Sequence, residues 1–219
     1  MRISHATVVI GAACMLILQA CKKDEYVYPS VVTEFVDART DADGTLTQLI
    51  TDKGEVMDIQ YREGLGGLTG DTVYRTVSMF RTLESGEAFI YSAQLILSQL
   101  PETADFFKEG IKTDPVDIRS IWQSGNYLNM ILTPLVKDQD HTFRFIEYGI
   151  EEKDGGKTLR LGLYHDRHGD GEAFTREVYL SVPLWKYKGS LCQGDSIFFH
   201  IHTYKEGETI RKFTFPEIN

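Results

Sequence analysis

The chain is poor in cysteine, with only Cys14, Cys21 and Cys192 among its 219 residues. The first two lie within or directly after an apolar N-terminal run. Cys192 is therefore alone in the rest of the chain and has no intrachain disulfide partner there. The stretch around it, "KGSLCQGDS", predicts a turn before a strand. We expect Cys192 to be a half-buried structural thiol, because no Lys, His and acidic groups surround it in sequence to activate it.

The chain is also short of positive charge. Its 23 Lys and Arg residues stand against 32 Asp and Glu residues, which gives a net charge of −9. Binding to nucleic acid depends on many Lys and Arg contacts with phosphates, and an acidic protein repels that backbone. We therefore expect no nucleic-acid partner.

The chain lacks the common motifs of catalytic and cofactor sites. It has no Gly-x-Ser-x-Gly elbow and no His-Glu-x-x-His pair, and its glycine-rich stretch Gly64–Asp71 precedes a predicted strand rather than a helix. "RTDADG" (Arg39–Gly44) fails as a calcium loop, because Arg39 takes the place of the first carboxylate, and it predicts a turn. A carboxylate pair for glycoside cleavage is defined by distance and leaves no motif. We expect no enzyme activity, no cofactor and no bound metal.

Only one long apolar run occurs, "ATVVIGAACMLIL" within residues 1–20. It is shorter than the roughly 20 apolar residues that span a bilayer, and it follows Arg2, as is typical of an export signal. "LQAC" resembles a bacterial lipobox, with Leu18 three residues before Cys21 and a small Ala20 directly before it, although Gln19 departs from the pattern. We expect residues 1–20 to be a lipoprotein signal peptide and Cys21 to be the lipid anchor.

A charged stretch, "CKKDE", begins at Cys21. It resembles the Lys-plus-acidic signal that directs Bacteroidetes lipoproteins to the cell surface. A solvated tether is the alternative interpretation of this charge run. We expect a protein that is lipid-anchored in the outer membrane and exposed at the cell surface.

Patterns typical of β-strands fill the remainder of the chain, where β-branched and aromatic residues alternate between Gly and Asp turns. The predicted strands are 31–37, 45–51, 55–61, 72–80, 87–97, 116–123, 126–133, 141–148, 158–165, 173–182, 196–204 and 209–215. Five strands at residues 31–100 predict a small OB-like barrel. Seven strands at residues 116–219 predict an immunoglobulin-like antiparallel β-sandwich. Residues 21–30 are expected to form a tether, and residues 101–115, with two prolines, a linker.

Two rows of the second half follow the period of two that places alternate residues on one face. Leu159, Leu161 and Leu163 form one predicted core row, and Ile197, Phe199 and Ile201 form the other. The opposite face of the last row carries the candidate binding surface, an aromatic and imidazole strip. Its predicted members are Phe198, His200, His202 and Tyr204, with Tyr164 beside them. Alternatively, a loop or the first domain covers this face.

The loop "YHDRHGD" contains His165, Asp166, His168 and Asp170, and it is the best candidate for metal ligation if it lies beside the strand histidines. Its spacing matches no established zinc motif, so the prediction remains that no metal is bound.

Four stretches together resemble the NigD-like family of Bacteroidetes lipoproteins over essentially the whole mature chain. These are "YPSVVTEFVDARTDADGTL", "FKEGIKTDPVDIRSIWQSGNYLNMIL", "LYHDRHGDGEAFTREVYLSVPLWKY" and "FFHIHTY". The resemblance implies an N-terminal OB-like domain and a C-terminal β-sandwich. The family takes its name from a protein of a bacteriocin locus, for which a role in immunity was suggested, and it has no established catalytic or binding residues.

The sequence therefore favours a non-catalytic outer-membrane lipoprotein that binds an envelope or secreted protein, as bacteriocin immunity would require. A glycan-binding accessory lipoprotein and a structural surface protein are the alternatives. The chain has two tryptophans, Trp122 and Trp185. Because Trp122 falls within a predicted core strand, few aromatic side chains remain to stack on sugars, and a protein partner is the preferred prediction.

Overall fold

The computed structural model describes residues 30–153 and 155–218, and most of their regular structure is β-strand. Val31–Asn219 form one compact unit. The strands of the N-terminal part are β1 (Val32–Thr40), β2 (Leu46–Thr51), β3 (Val56–Asp58), β4 (Val73–Thr82) and β5 (Ala88–Leu95). The later strands are β6 (Glu102–Thr103), β7 (Asp117–Ser124), β8 (Tyr127–Thr133), β9 (Leu135–Val136), β10 (Thr142–Lys153), β11 (Gly156–Asp166), β12 (Phe174–Thr175), β13 (Val178–Pro183), β14 (Ser196–Thr203) and β15 (Gly207–Thr214).

The first five strands form one antiparallel sheet in the order β3-β2-β1-β4-β5. A single parallel bridge between Ile59 and Ala88 brings its two edges together. No continuous ladder closes the barrel in the described residues, and the arrangement corresponds to the partly open form of an OB-like fold. One face of the sheet encloses a small core that includes Val36, Leu49 and Phe80.

The remaining large sheets form a β-sandwich, so the predicted all-β class is confirmed. One sheet has the order β15-β14-β11-β10-β6, and the other has the order β13-β8-β7. Both predicted core rows are buried between them, because alternate residues of β11 and β14 point inward. Most ladders are antiparallel as predicted, but β11 pairs with β14 and β6 pairs with β10 in parallel. The predicted strand 173–182 is divided into β12 and β13.

The sheet β13-β8-β7 is a middle layer with two covered faces. On β8, Leu128, Met130 and Leu132 belong to the sandwich core. The intervening residues of β8 point the other way, toward the N-terminal sheet, where Asn129 contacts Arg75 of β4. Main-chain contacts join the same layers, since Leu97 bridges to Leu180 and Ile96 donates a hydrogen bond to the carbonyl of Arg75.

Residues 101–115, predicted as a linker, contain β6 and a 3₁₀ turn, and Thr113 forms a parallel bridge with His165. The division into two domains at this segment remains a prediction. The expected burial of Cys192 is wrong, because its side chain is exposed. Cys192 lies in the turn before β14, where Asp195 accepts hydrogen bonds from the main-chain N–H groups of Cys192 and Lys157. The Asp195 carboxylate and the hydrogen bond from the Asp195 N–H to the Cys192 carbonyl hold that turn, so the thiol does not need to be buried.

Candidate functional site

A groove of about 440 Å³ runs between the N-terminal sheet and the middle sheet. Pockets of this size are typical of ligand and anchor-residue sites. Strand β1 contributes Phe35, strand β7 contributes Trp122, and strand β13 contributes Tyr179. We call these three side chains the aromatic groove. All three belong to strand faces that point away from the two cores, so the groove exists only because two sheets meet there.

Phe35 is the centre of the aromatic groove. It is buried, and its ring meets Trp122 edge-on at 5.1 Å between centroids and Tyr179 at 6.0 Å. Edge-to-face packing of this kind stabilises aromatic clusters beyond the area that they bury. The prediction that Trp122 is a core residue is wrong. Its strand is correct, but the side chain is half-buried and faces the groove, because β7 has a second face that the N-terminal sheet covers only in part.

A polar rim borders the aromatic groove on the side of β7 and β13. Arg119 forms an ion pair with Glu177, and the hydroxyl of Tyr179 donates a hydrogen bond of 2.6 Å to the other oxygen of the same carboxylate. The Arg119 side chain is 59% exposed, so a partner can reach this pair from solvent. An aromatic centre with a charged, accessible border is the usual layout of a protein-recognition site.

Beside the groove, whose lining includes Asp52, lies Arg75, whose side chain is only 2% exposed. Its guanidinium lies 2.7 Å from Asp52 and 3.2 Å from Asp37, both within the N-terminal sheet or its loops. It also donates to Asn129 at 3.0 Å and to Ser181 at 3.3 Å, both in the middle sheet. We call this set the Arg75 network, and it ties the two sheets together beside the groove.

The aromatic ring of Tyr127 covers the Arg75 network, with the guanidinium carbon 3.9 Å from the ring centroid. Its hydroxyl donates to Asp37 at 3.2 Å. Burial raises the pKa of Asp37 above its usual value, although the charge and hydrogen bond of Arg75 oppose the shift. Burial and the nearby charge of Asp37 also raise the pKa of Tyr127, so its hydroxyl remains a donor at physiological pH. Because its polar groups are paired, the Arg75 network is preorganised.

The predicted surface strip lies on β14 and is half-buried rather than open. The chain itself already occupies part of this face, as the following contacts show: Lys212 over Phe198, Arg160 and Tyr148 against His200, the Thr113 carbonyl against His202, and the Leu135 N–H against the Tyr204 hydroxyl. Tyr164 lies under Phe107, with ring centroids 4.7 Å apart. A depression of about 350 Å³ remains beside His200 and His202. The strip remains a prediction as a binding surface.

The loop histidines meet a residue that the sequence analysis did not identify. His141, just before β10, has its ring nitrogen Nδ1 2.9 Å from Nε2 of His165, and its Nε2 lies 3.3 Å from Asp170. In the sequence, His141 is only a polar residue at the start of a predicted strand. No local pattern indicates that it contacts His165 and Asp170. Within residues 30–153 and 155–218, no group of three or more His, Cys, Asp or Glu side chains is arranged to hold a metal ion.

The proposed anchor, Cys21, lies outside the described residues. In the part of the chain that the structure covers, none of the helices has the length and apolar character needed to cross a membrane.

Comparisons with known proteins find relatives with the same architecture. The NigD-like C-terminal β-sandwich domain matches residues 98–215. A NigD-like immunity protein from Bacteroides caccae is 37% identical, with a TM-score of 0.70, and the match covers 86% of this chain and 94% of that chain. A Bacteroides vulgatus protein of unknown function shares the fold at 20% identity, with a TM-score of 0.67 and coverage of 85% and 92%. None of the curated protein sequences matches this chain. Because the family domain spans more than half of the chain and a relative aligns over most of its length, the chain belongs to the NigD-like family.

Proposed function

We propose that this protein is a non-catalytic, lipid-anchored module of the bacterial envelope that binds a protein partner through the aromatic groove. The observation that carries the proposal is the groove itself, in which Phe35, Trp122 and Tyr179 lie beside a buried and fully paired Arg75 network. A preformed site loses little conformational freedom on binding, and aromatic and arginine side chains supply most binding energy at protein interfaces.

A protein partner is favoured over a glycan by the orientation of the rings. Sugar rings stack on an exposed flat aromatic face, whereas Trp122 and Tyr179 both pack against Phe35, at interplanar angles of 85° and 62°. The 37% identical relative is a NigD-like immunity protein, which supports an immunity role here. We therefore infer that the partner is a toxic protein or a component of the envelope that such a protein attacks.

The location forms part of the same proposal. We infer that acylated Cys21 holds the chain in the outer membrane, that residues 22–30 separate the fold from the lipid, and that the "CKKDE" start directs the protein to the cell surface. Two or more acyl chains provide a stable anchor where a single chain gives only marginal attachment. At the surface the aromatic groove would meet a secreted toxin before the toxin reached the membrane.

The test is capture of partners by the full chain from detergent-solubilised envelopes and from culture fluid of related strains, followed by affinity measurement on each captured protein. We expect Trp122→Ala to weaken the affinity about 30-fold, the loss of about 2 kcal/mol that defines a hot-spot residue. Trp185→Ala is the matched control, because Trp185 is 48% exposed and lies outside the groove. Unchanged affinity in a folded Trp122→Ala variant would contradict the proposal.

Glycan binding is the second candidate, because Trp122 is available in the groove and is not a core residue. A glycan array separates the candidates. Binding to a glycan that is lost on Trp122→Ala would assign the groove to sugars, and loss on His200→Ala instead would assign the predicted strip.

A further inference from the structure

Four groups form a continuous polar chain at one end of the sandwich. The carbonyl oxygen of Asp114 is 2.9 Å from Nδ1 of His165, whose Nε2 is 2.9 Å from Nδ1 of His141. The chain ends where Nε2 of His141 meets the carboxylate of Asp170 at 3.3 Å. The side chains of His141 and Asp170 are 3% and 2% exposed, and His165 is fully buried. Water therefore has little access to replace a missing hydrogen bond.

The number of protons in this chain follows from its geometry. A carbonyl oxygen only accepts, so Nδ1 of His165 must carry a proton. An ionised carboxylate also only accepts, so Nε2 of His141 must carry another. The contact between Nδ1 of His141 and Nε2 of His165 needs a single proton. With two protons both nitrogens would be donors, and with none both would be acceptors. Three protons are therefore required, whereas two neutral imidazoles carry two and two imidazolium ions carry four.

Asp170 is held in its charged form. Burial would raise the pKa of its carboxyl, but main-chain N–H groups of Asp138, Lys137, Gln139 and Gly171 donate to it and hold the pKa well below its usual range. Burial lowers the pKa of His165, which therefore favours the neutral ring. The third proton accordingly belongs to His141, next to the carboxylate.

We propose that His141 and His165 share a single positive charge and form a pH-responsive latch between residues 137–141 and 166–171. The latch has main-chain consequences, because Asp170 accepts hydrogen bonds of 2.6 Å from Lys137 and 2.9 Å from Asp138. Losing the shared proton leaves one contact without a donor. Adding a fourth proton sets two N–H groups against each other across 2.9 Å.

The charged groups around the latch, other than Asp170, come from both segments and from the neighbouring loop. Lys112 and His168 contact Asp166, and Arg167 contacts Asp114 through its main-chain N–H and its side chain. In the first segment, Lys137 pairs with Asp138 at 3.3 Å, and Asp140 is exposed. On the remaining side, Phe143 stacks on His165 at 4.5 Å. No further cation among the described residues takes part in these contacts, so the imidazolium is the group that balances Asp170.

The latch also adjoins the aromatic groove. His141 lines a second depression that shares Glu177 and Tyr179 with the groove. Opening the latch would alter one wall of that shared region, so acidification would weaken partner binding. This last consequence rests on the proposed function, whereas the latch itself does not.

The direction of the pH effect follows from His165. Its pKa is lowered from 6.5 in the folded chain, so the unfolded chain binds the proton more readily. The contribution of the neutral ring to the free energy of unfolding is complete above about pH 6.5 and is lost as the pH falls below that value.

Imidazole nitrogen NMR on the wild-type full chain tests the latch directly. We expect His165 as the Nδ1–H tautomer and His141 as a doubly protonated ring over the same pH interval. Two rings that titrate independently, with no interval in which only His141 is charged, would overturn the proposal whether or not any partner is found.

Unfolding measurements between pH 5 and pH 8 provide the second test. The wild type should lose stability on acidification, and His165→Gln should lose most of that dependence, because the buried neutral ring of His165 is its source. His200→Gln is the control, because it removes a histidine outside the latch, and it should retain the dependence. An equal pH dependence in His165→Gln and wild type would count against the latch. If His165→Gln does not fold, the NMR measurement decides.

Discussion

At the scale of single residues, Arg75 illustrates how a buried charge is made tolerable. The guanidinium is surrounded by two carboxylates, an amide, a hydroxyl and an aromatic ring, so its N–H donors find acceptors out of contact with water. Such an arrangement contributes modestly to stability when complete, because desolvation offsets the attraction. Removing one member is costly, because the others remain buried without compensation.

We expect Arg75→Leu to lower the free energy of unfolding by about 3–5 kcal/mol, since it leaves Asp37 and Asp52 without their cation. Urea unfolding followed by tryptophan fluorescence measures the change. Arg39→Leu is the control, because Arg39 is exposed on the neighbouring strand and its guanidinium donates an exposed hydrogen bond to the Gln48 side chain. Its effect should stay within about 0.5 kcal/mol. Similar values for the two variants would show that the Arg75 network does not join the sheets.

At the scale of elements, the turn between β1 and β2 confirms the interpretation of "RTDADG" as a turn rather than a calcium loop. The Asp41 carboxylate accepts hydrogen bonds from the N–H groups of Asp43 and Thr45, at 3.0 and 2.9 Å. The hydrogen bond from Asp43, two residues on, is the one that defines an Asx turn, and the bond from Thr45 extends it. Gly44 then adopts a φ of +77°, and a Cβ at this position would overlap the carbonyl oxygen of Leu68. The turn therefore needs glycine for two independent reasons.

Gly44→Ala and Gly54→Ala form a matched pair. Both glycines have positive φ, +77° and +85°, but a Cβ at Gly54 would meet nothing within 4 Å. We expect Gly54→Ala to lower the free energy of unfolding by about 1–2 kcal/mol, the cost of a left-handed alanine. Gly44→Ala should cost clearly more, because the Leu68 segment must also move. Equal losses of unfolding free energy in thermal or urea unfolding would contradict this prediction. They would mean that the loop after β3, which contains Leu68, moves without an energetic cost.

At the scale of the whole molecule, the acidic charge limits what the protein can bind, and the proposed lipid would determine where it works. A net charge of −9 opposes contact with nucleic acid, and the described residues contain no spanning helix. Under the proposed function, attachment to a membrane depends on Cys21.

Cys21→Ala should move the protein out of the membrane fraction, because the diacylglycerol can be joined only to that thiol. Cys192→Ala removes the other thiol of the mature chain and should leave the protein in the membrane fraction. Fractionation with mass spectrometry of the N-terminal peptide measures both outcomes. An unmodified residue 21 with residues 1–20 still attached would refute the proposed anchor and location.

The sequence alone determined the strands, the turn chemistry and the two core rows of β11 and β14, because these depend on local alternation and on residues that prefer turns. The same period of two identified which residues point away from the sandwich core. It could not tell what those outward residues meet. An outward side chain fits solvent or a second sheet equally well, and Trp122, which was expected in the core, lies in the groove between two sheets.

Only the tertiary structure decided the groove, the Arg75 network and the histidine latch. Arg75 meets residues 54 and 106 positions further along the chain, and His141 meets His165 across 24 positions. Such contacts arise where two sheets pack face to face or two loops meet at a sandwich end, and no short segment encodes that geometry. Strands form according to residues that are close in sequence. The sites of this protein depend instead on contacts between residues of different sheets and loops that are distant in sequence.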